Sequence, residues 1–119
     1  MRRKPHILLA DDYEDFRVLA ALELKSLGFE VTTAATVGQA LAAILKRDVQ
    51  AVVTALDMPD GGGRVIHWAA QAWHPGLPIV VLSDREPDPD DPLLERTSGL
   101  FQRPCNFTML ARHLRQLTA

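Results

Sequence analysis

Cysteine is nearly missing from this chain of 119 residues: Cys105 stands alone. A lone thiol excludes an internal disulfide, and a reducing cytoplasm is the expected setting. Long apolar runs are missing too. No segment approaches the length of a membrane span, and the run Ile7 to Ala10 behind the basic start Met1-Arg2-Arg3-Lys4 is too short for a signal peptide. Neither sign of charge dominates: 13 Lys and Arg against 15 Asp and Glu leave a net charge of -2, which exerts no general pull on nucleic acid or an anionic membrane. Internal repeats and low-complexity linkers are absent, and only residues 84–92 stand out in composition. The rest is ordinary for a globular protein, 47% hydrophobic and 24% charged, and long enough for one domain over residues 1–119 with a single substantial core.

Short apolar runs alternate with helical patterns five times. His6 to Ala10 reads as a continuous apolar strand. A helix over about Glu14 to Leu27 follows, with Phe16, Leu19, Ala20, Leu24 and Leu27 toward one face and Gly28 as its stop. Glu30 to Ala34 is the second strand. Thr36-Val37-Gly38-Gln39 fits a capping box opening a helix that turns Val37, Ala40, Leu41, Ile44 and Leu45 inward. Gln50 to Ala55 is the third strand, and residues 56–63 form a turn rich in Pro and Gly. A third helix spans roughly Arg64 to Trp73, burying Ile66, Ala69, Ala70 and Trp73, before the apolar strand Ile79 to Leu82. A last strand near Leu100 to Gln102 precedes a helix with Phe107, Leu110, Ala111, Leu114 and Leu117 on one stripe. This alternation argues for a parallel sheet covered on both faces, because strands buried on both sides lose their inside–outside pattern. Such folds place their sites at the carboxyl ends of the strands, where this chain has its unusual residues.

Asp11 and Asp12 follow the first strand. An acidic pair there suits an oxygen-seeking cation such as Mg²⁺, or it merely caps the first helix. Met58-Pro59 follows the third strand, Ser83 the fourth and Arg103-Pro104 the fifth. In this order the four features resemble the response-regulator receiver family across nearly the whole chain. That family's pattern is an Asp pair, a phosphoacceptor Asp three residues before the Met-Pro pair, a Thr or Ser, and a Lys before a proline. The resemblance implies a flavodoxin-like (CheY-like) α/β fold with a doubly wound five-stranded parallel sheet in the order 2-1-3-4-5. It also implies a signal-transduction domain whose acceptor carboxylate takes a phosphoryl group while Mg²⁺ neutralises the phosphate oxygens. By position, the metal falls to Asp11, Asp12 and the Asp57 carbonyl, the hydroxyl role to Ser83, and the switch aromatic to Leu100.

Three departures oppose that chemistry. Counting back three residues from Met58 gives Ala55, whose methyl group neither accepts a phosphoryl group nor binds a metal. Arg103 replaces the Lys, and a planar fork of donors is not equivalent to a compact ammonium. Asp84 stands where the family prefers a very small residue. The expected pocket is therefore Asp11, Asp12, Ala55, Asp57, Ser83, Asp84 and Arg103, with no catalytic residue in it and no enzyme activity. Two arrangements are open. In one, Asp57 leans inward and a weakened Mg²⁺ site of Asp11, Asp12 and Asp57 survives. In the other, Arg103 pairs with the acids as a built-in cation and no metal is needed.

Residues 84–92 carry five acids and one arginine, a local charge of -4. Pro87, Pro89 and Pro92 forbid a regular helix there, so the family's fourth helix should be short or absent, with Leu93 to Ser98 forming a turn or two. Leu100 cannot gate as an aromatic switch does. His67 and His74 lack a third ligand for zinc. Gly61-Gly62-Gly63 lacks the Lys-Ser/Thr of a nucleotide loop and reads as room for the third helix to start. Trp68 is expected partly exposed and Trp73 in the core, while Arg103-Pro104 matches a bond that is cis in the family.

The expected role is that of a pseudo-receiver, a phosphorylation-independent interaction module in signalling or transcription control. Its partner would be a kinase, an output domain or another regulator, with no direct nucleic-acid or membrane contact and scope for a homodimer beside the fifth helix. The alternatives are a relocated phosphoacceptor at Asp57, or at Asp11 or Asp12, and a metal- or ligand-sensing domain using the acidic pocket.

Overall fold

The computed structural model describes residues 3–46 and 48–119; Met1 and Arg2 of the basic start, and Arg47, lie outside them. Strands and helices alternate throughout: β1 His6–Ala10, α1 Glu14–Ser26, β2 Glu30–Ala34, α2 Val37–Lys46, β3 Ala51–Ala55, α3 Gly62–Trp73, β4 Ile79–Ser83, α4 Leu93–Arg96, β5 Gly99–Gln102 and α5 Phe107–Thr118. The sheet order is β2-β1-β3-β4-β5, and every pairing is parallel. This is the doubly wound, flavodoxin-like architecture expected from the sequence.

The continuous apolar strands have their explanation in the two cores. Ile7, Leu9, Val53, Val80 and Leu82 point to one face, where they meet Ala20 and Leu24 of α1 and Leu110 and Leu114 of α5. Leu8, Val52, Ile79 and Val81 point to the other, against Ala40 and Ile44 of α2 and Ile66 and Ala70 of α3. Leu100 packs partly buried against this second core. The cap forms with its return bond shifted by one residue: Thr36 Oγ1 accepts from Gln39 N at 3.1 Å, and Gln39 Oε1 accepts from Ala35 N, not Thr36 N, at 2.8 Å. In front of α3, Gly62 is required, because at φ +60 a Cβ would lie 2.3 Å from the Leu56 carbonyl oxygen.

Three apolar side chains depart from the periodic reading. Leu45 is 62% exposed, since Val37, Ala40 and Ile44 already fill the buried stripe of α2. Trp73 is 47% exposed; the chain turns away at Pro75-Gly76 just after it and leaves half the indole uncovered. Leu19 is also half exposed, because it lines an open cavity rather than the core.

The fourth helix is a single turn, as the three prolines dictate. The chain around it is held from outside. Arg64 of α3 forms an ion pair with Asp91, whose Oδ1 also accepts from Leu93 N at 3.0 Å. His67 Nε2 of α3 donates to the Arg96 carbonyl at 3.0 Å, and His113 Nε2 of α5 donates to the Ser98 carbonyl at 2.6 Å. Thr97 Oγ1 donates to the Ile79 carbonyl at 2.7 Å. His67 is thus a buried structural donor, and among the described residues no group of three or more His, Cys, Asp or Glu is arranged to hold a metal.

Candidate functional site

The carboxyl ends of the strands are tied side by side: Asp11 N donates to Ala34 O at 3.0 Å, Leu56 N to Leu82 O at 2.7 Å and Arg103 N to Ser83 O at 2.8 Å. Those bonds bring the loops after β1, β3, β4 and β5 around a cavity of about 610 Å³. Of the seven residues expected in the pocket, Asp11, Asp12, Asp57, Asp84 and Arg103 line it. Ala55 and Ser83 do not; both are buried. The remaining wall is apolar, formed by Tyr13, Phe16, Leu19, Pro104, Cys105 and Phe107. Of these, only Cys105, next to the Arg-Pro turn, is expected near the pocket from sequence; the helical period assigns Phe16, Leu19 and Phe107 to inward stripes instead.

Asp11 is fully buried at the end of β1, and both of its carboxylate oxygens are engaged. Oδ1 accepts from Tyr13 N at 2.9 Å, and Oδ2 is paired with Arg103 Nη1. Burial pushes the Asp11 carboxyl above the ordinary carboxylate range, opposed by the Tyr13 amide and the Arg103 guanidinium. The Asp11 carbonyl accepts from Arg17 Nη1 at 2.8 Å.

Arg103 is only 14% exposed in its side chain and reaches three partners. Besides Asp11, its Nε lies 2.8 Å from Asp84 Oδ1, and its guanidinium carbon sits 4.9 Å from the centre of the Phe16 ring. The buried Nε–H is not aligned on that oxygen, and the hydrogen bond to Asp84 runs instead from Arg103 Nη2 to Oδ2 at 3.5 Å. The peptide bond from Arg103 to Pro104 is cis, like the matching bond of the resembled pattern.

Asp57 does not complete an acidic cluster. Its side chain is exposed, and its Oδ2 lies 3.4 Å from Arg85 Nη2. Arg85 was not singled out from sequence; the cue was that it is the one cation within residues 84–92. Ser83 is likewise turned into its own loop, its hydroxyl donating to the Arg85 carbonyl at 2.7 Å. Cys105 is half-buried, and burial raises its thiol.

These donors do not fit a divalent cation. Mg²⁺ demands near-octahedral oxygen coordination. Here one buried carboxylate is spent on an amide and a guanidinium, residue 55 offers a methyl group, and Asp57 faces Arg85.

A family model described as the response regulator receiver domain matches residues 7–110. The chain belongs to the response regulator receiver family. This receiver is 32% identical over 91 residues to the transcriptional regulatory protein GlrR of Escherichia coli K12, a match covering 76% of this chain and 20% of GlrR. It is 37% identical over 83 residues to the transcriptional regulatory protein PrrA of Mycobacterium tuberculosis, covering 68% of this chain and 35% of PrrA. The chain therefore spans a fifth to about a third of the length of these curated relatives. The solved structure of the response regulator TrrA of Thermotoga maritima, in complex with Mg²⁺-BeF, matches with a TM-score of 0.87 at 22% identity, over 95% of this chain and 98% of that one. That likeness shows the CheY-like fold. Among the described residues of the receiver, no helix is long and apolar enough to cross a membrane.

Proposed function

We propose that this receiver is a phosphorylation-independent protein-interaction module of two-component signalling or transcription control. The observation that carries the reading is the strand end at Ala55. Phosphoryl transfer to a carboxylate needs a nucleophilic oxygen beside the acidic pair, and the residue that closes the central strand beside Asp11 has none. Asp57, the nearest substitute in sequence, is directed to Arg85 instead. Asp11 is sequestered by Arg103, and a carboxylate so paired is a poor nucleophile.

The partner is a protein: a kinase, an output domain or another regulator, with a second copy of the chain as a further option. The names of the relatives as transcriptional regulatory proteins support a place in transcription control. The net charge of -2 supports protein contact over direct nucleic-acid contact, and the lone thiol supports a cytoplasmic setting.

The deciding experiment is intact-mass spectrometry after incubation with acetyl phosphate and Mg²⁺, with a phosphorylatable receiver labelled in parallel. No added phosphoryl mass is expected. An added mass that disappears in Asp57→Asn would overturn the reading and make Asp57 a relocated acceptor.

A further inference from the structure

We infer that Arg103 is the resident cation of this pocket, its guanidinium taking the place from which a divalent cation would reach Asp11 and so keeping metal out. The inference concerns metal, not phosphoryl transfer, and goes beyond the proposed signalling role.

Asp11 sets the electrostatic problem. A carboxylate removed from water needs a compensating charge and hydrogen bonds to both oxygens. The Tyr13 amide serves Oδ1 and the Arg103 fork serves Oδ2, which leaves no free oxygen on the one fully buried acid of the cavity.

Arg103 is fixed by more than this bond. Its guanidinium spans from buried Asp11 to exposed Asp84 while lying over the Phe16 ring, so three elements hold it in place. An ammonium on a flexible stem is a point charge, without the planar face and fork needed to serve all three. For a divalent cation to reach Asp11, the guanidinium must leave a site where it is largely buried and contact Asp84 alone.

The methyl group at residue 55 compounds the exclusion by withholding a second carboxylate from the same strand edge. Yet Asp11, Asp12 and Asp84 remain on the cavity wall, and they would face an open space once the guanidinium is gone. With Arg103 in place no three of them are arranged to hold a metal, and the cation that balances them is supplied by the chain.

The test is Mg²⁺ titration without any phosphodonor, read by isothermal calorimetry and by melting temperature against NaCl controls of equal ionic strength. Wild type is expected to show no heat of binding and no rise in melting temperature beyond the control. Arg103→Lys and Arg103→Gln are expected to melt lower without Mg²⁺ and to regain stability as Mg²⁺ is added. Ala55→Asp with Arg103→Lys, which adds a carboxylate, should bind tighter than Arg103→Lys by about tenfold or more. Mg²⁺ binding by wild type as tight as by Arg103→Lys would overturn the inference, and so would variants as indifferent to Mg²⁺ as wild type. The wild-type titration decides the first point even where a variant fails to fold. Phosphorylation enters neither readout, so this inference and the proposed function fail separately.

Discussion

Replacing Arg103 by methionine removes the charge of the buried ion pair and leaves an unbranched apolar stem. The guanidinium is lost from the Phe16 ring as well, and fully buried Asp11 is left with only the Tyr13 amide. Removing one partner of a buried pair costs about 3–5 kcal/mol, because the remaining charge is stranded. The cavity opens to solvent and one hydrogen bond survives, so the lower end, about 3 kcal/mol at neutral pH, is expected. The loss also depends on pH. Burial already holds the Asp11 carboxyl above its ordinary range, and without the guanidinium it rises further. A carboxyl raised above its unfolded-state value takes up its proton preferentially in the folded chain. The penalty for ionised Asp11 is therefore present above the folded-state value and disappears as the pH falls through it. Arg103→Met should approach wild-type stability as the pH drops from neutral toward the unfolded-state value of 3.8. Adding Asp11→Asn should restore most of the loss at neutral pH, which a double-mutant cycle measures directly. Urea unfolding followed by tryptophan fluorescence at several pH values is the assay. A loss below about 1 kcal/mol, the value of an exposed pair, or a loss that ignores pH, would refute the claim that Arg103 neutralises a buried carboxylate.

Two further outcomes follow from the geometry. Arg64, helped by the Leu93 amide, holds the Asp91 carboxyl down at about 2, so the tether of the fourth helix contributes stability above the unfolded-state value of 3.8 and loses it only as the pH falls toward 2. Carboxyl-detected NMR titration checks this, and an Asp91 midpoint at the ordinary value would contradict it. Gly62→Ala places a methyl group 2.3 Å from the Leu56 oxygen at φ +60 and should cost roughly 2–4 kcal/mol in urea unfolding. Gly28→Ala, whose methyl meets nothing within 4 Å, should cost less.

The architecture was legible because strands buried on both faces, such as Ala51–Ala55 and Ile79–Ser83, read as unbroken apolar runs separated by well-punctuated helices. Helix faces were less legible at their ends. Trp73 and Leu45 obey the helical period, but periodicity does not report where the covering sheet stops. In the pocket, Asp11 and Arg103 could be named only through the resemblance to the receiver pattern, whereas a built-in cation could be argued from charge and fork geometry. Where Asp57 goes could not, because it depends on the path of the loop that presents Arg85. The apolar half of the cavity was hidden for a related reason: Phe16, Leu19 and Phe107 look like core residues until the gap between α1 and α5 is known.

The single-turn fourth helix has a consequence for which substitutions this receiver tolerates. Four residues make almost no hydrogen-bond ladder of their own, so the path of residues 91–98 depends on Arg64 and His67 from α3 and His113 from α5, together with the segment's own Asp91 and Thr97. Exposed positions within the segment, such as Glu95, can therefore vary with little effect on its course, whereas a change at any of the three distant anchors would re-lay it. The shape of that surface is thus encoded partly outside the stretch of sequence that forms it.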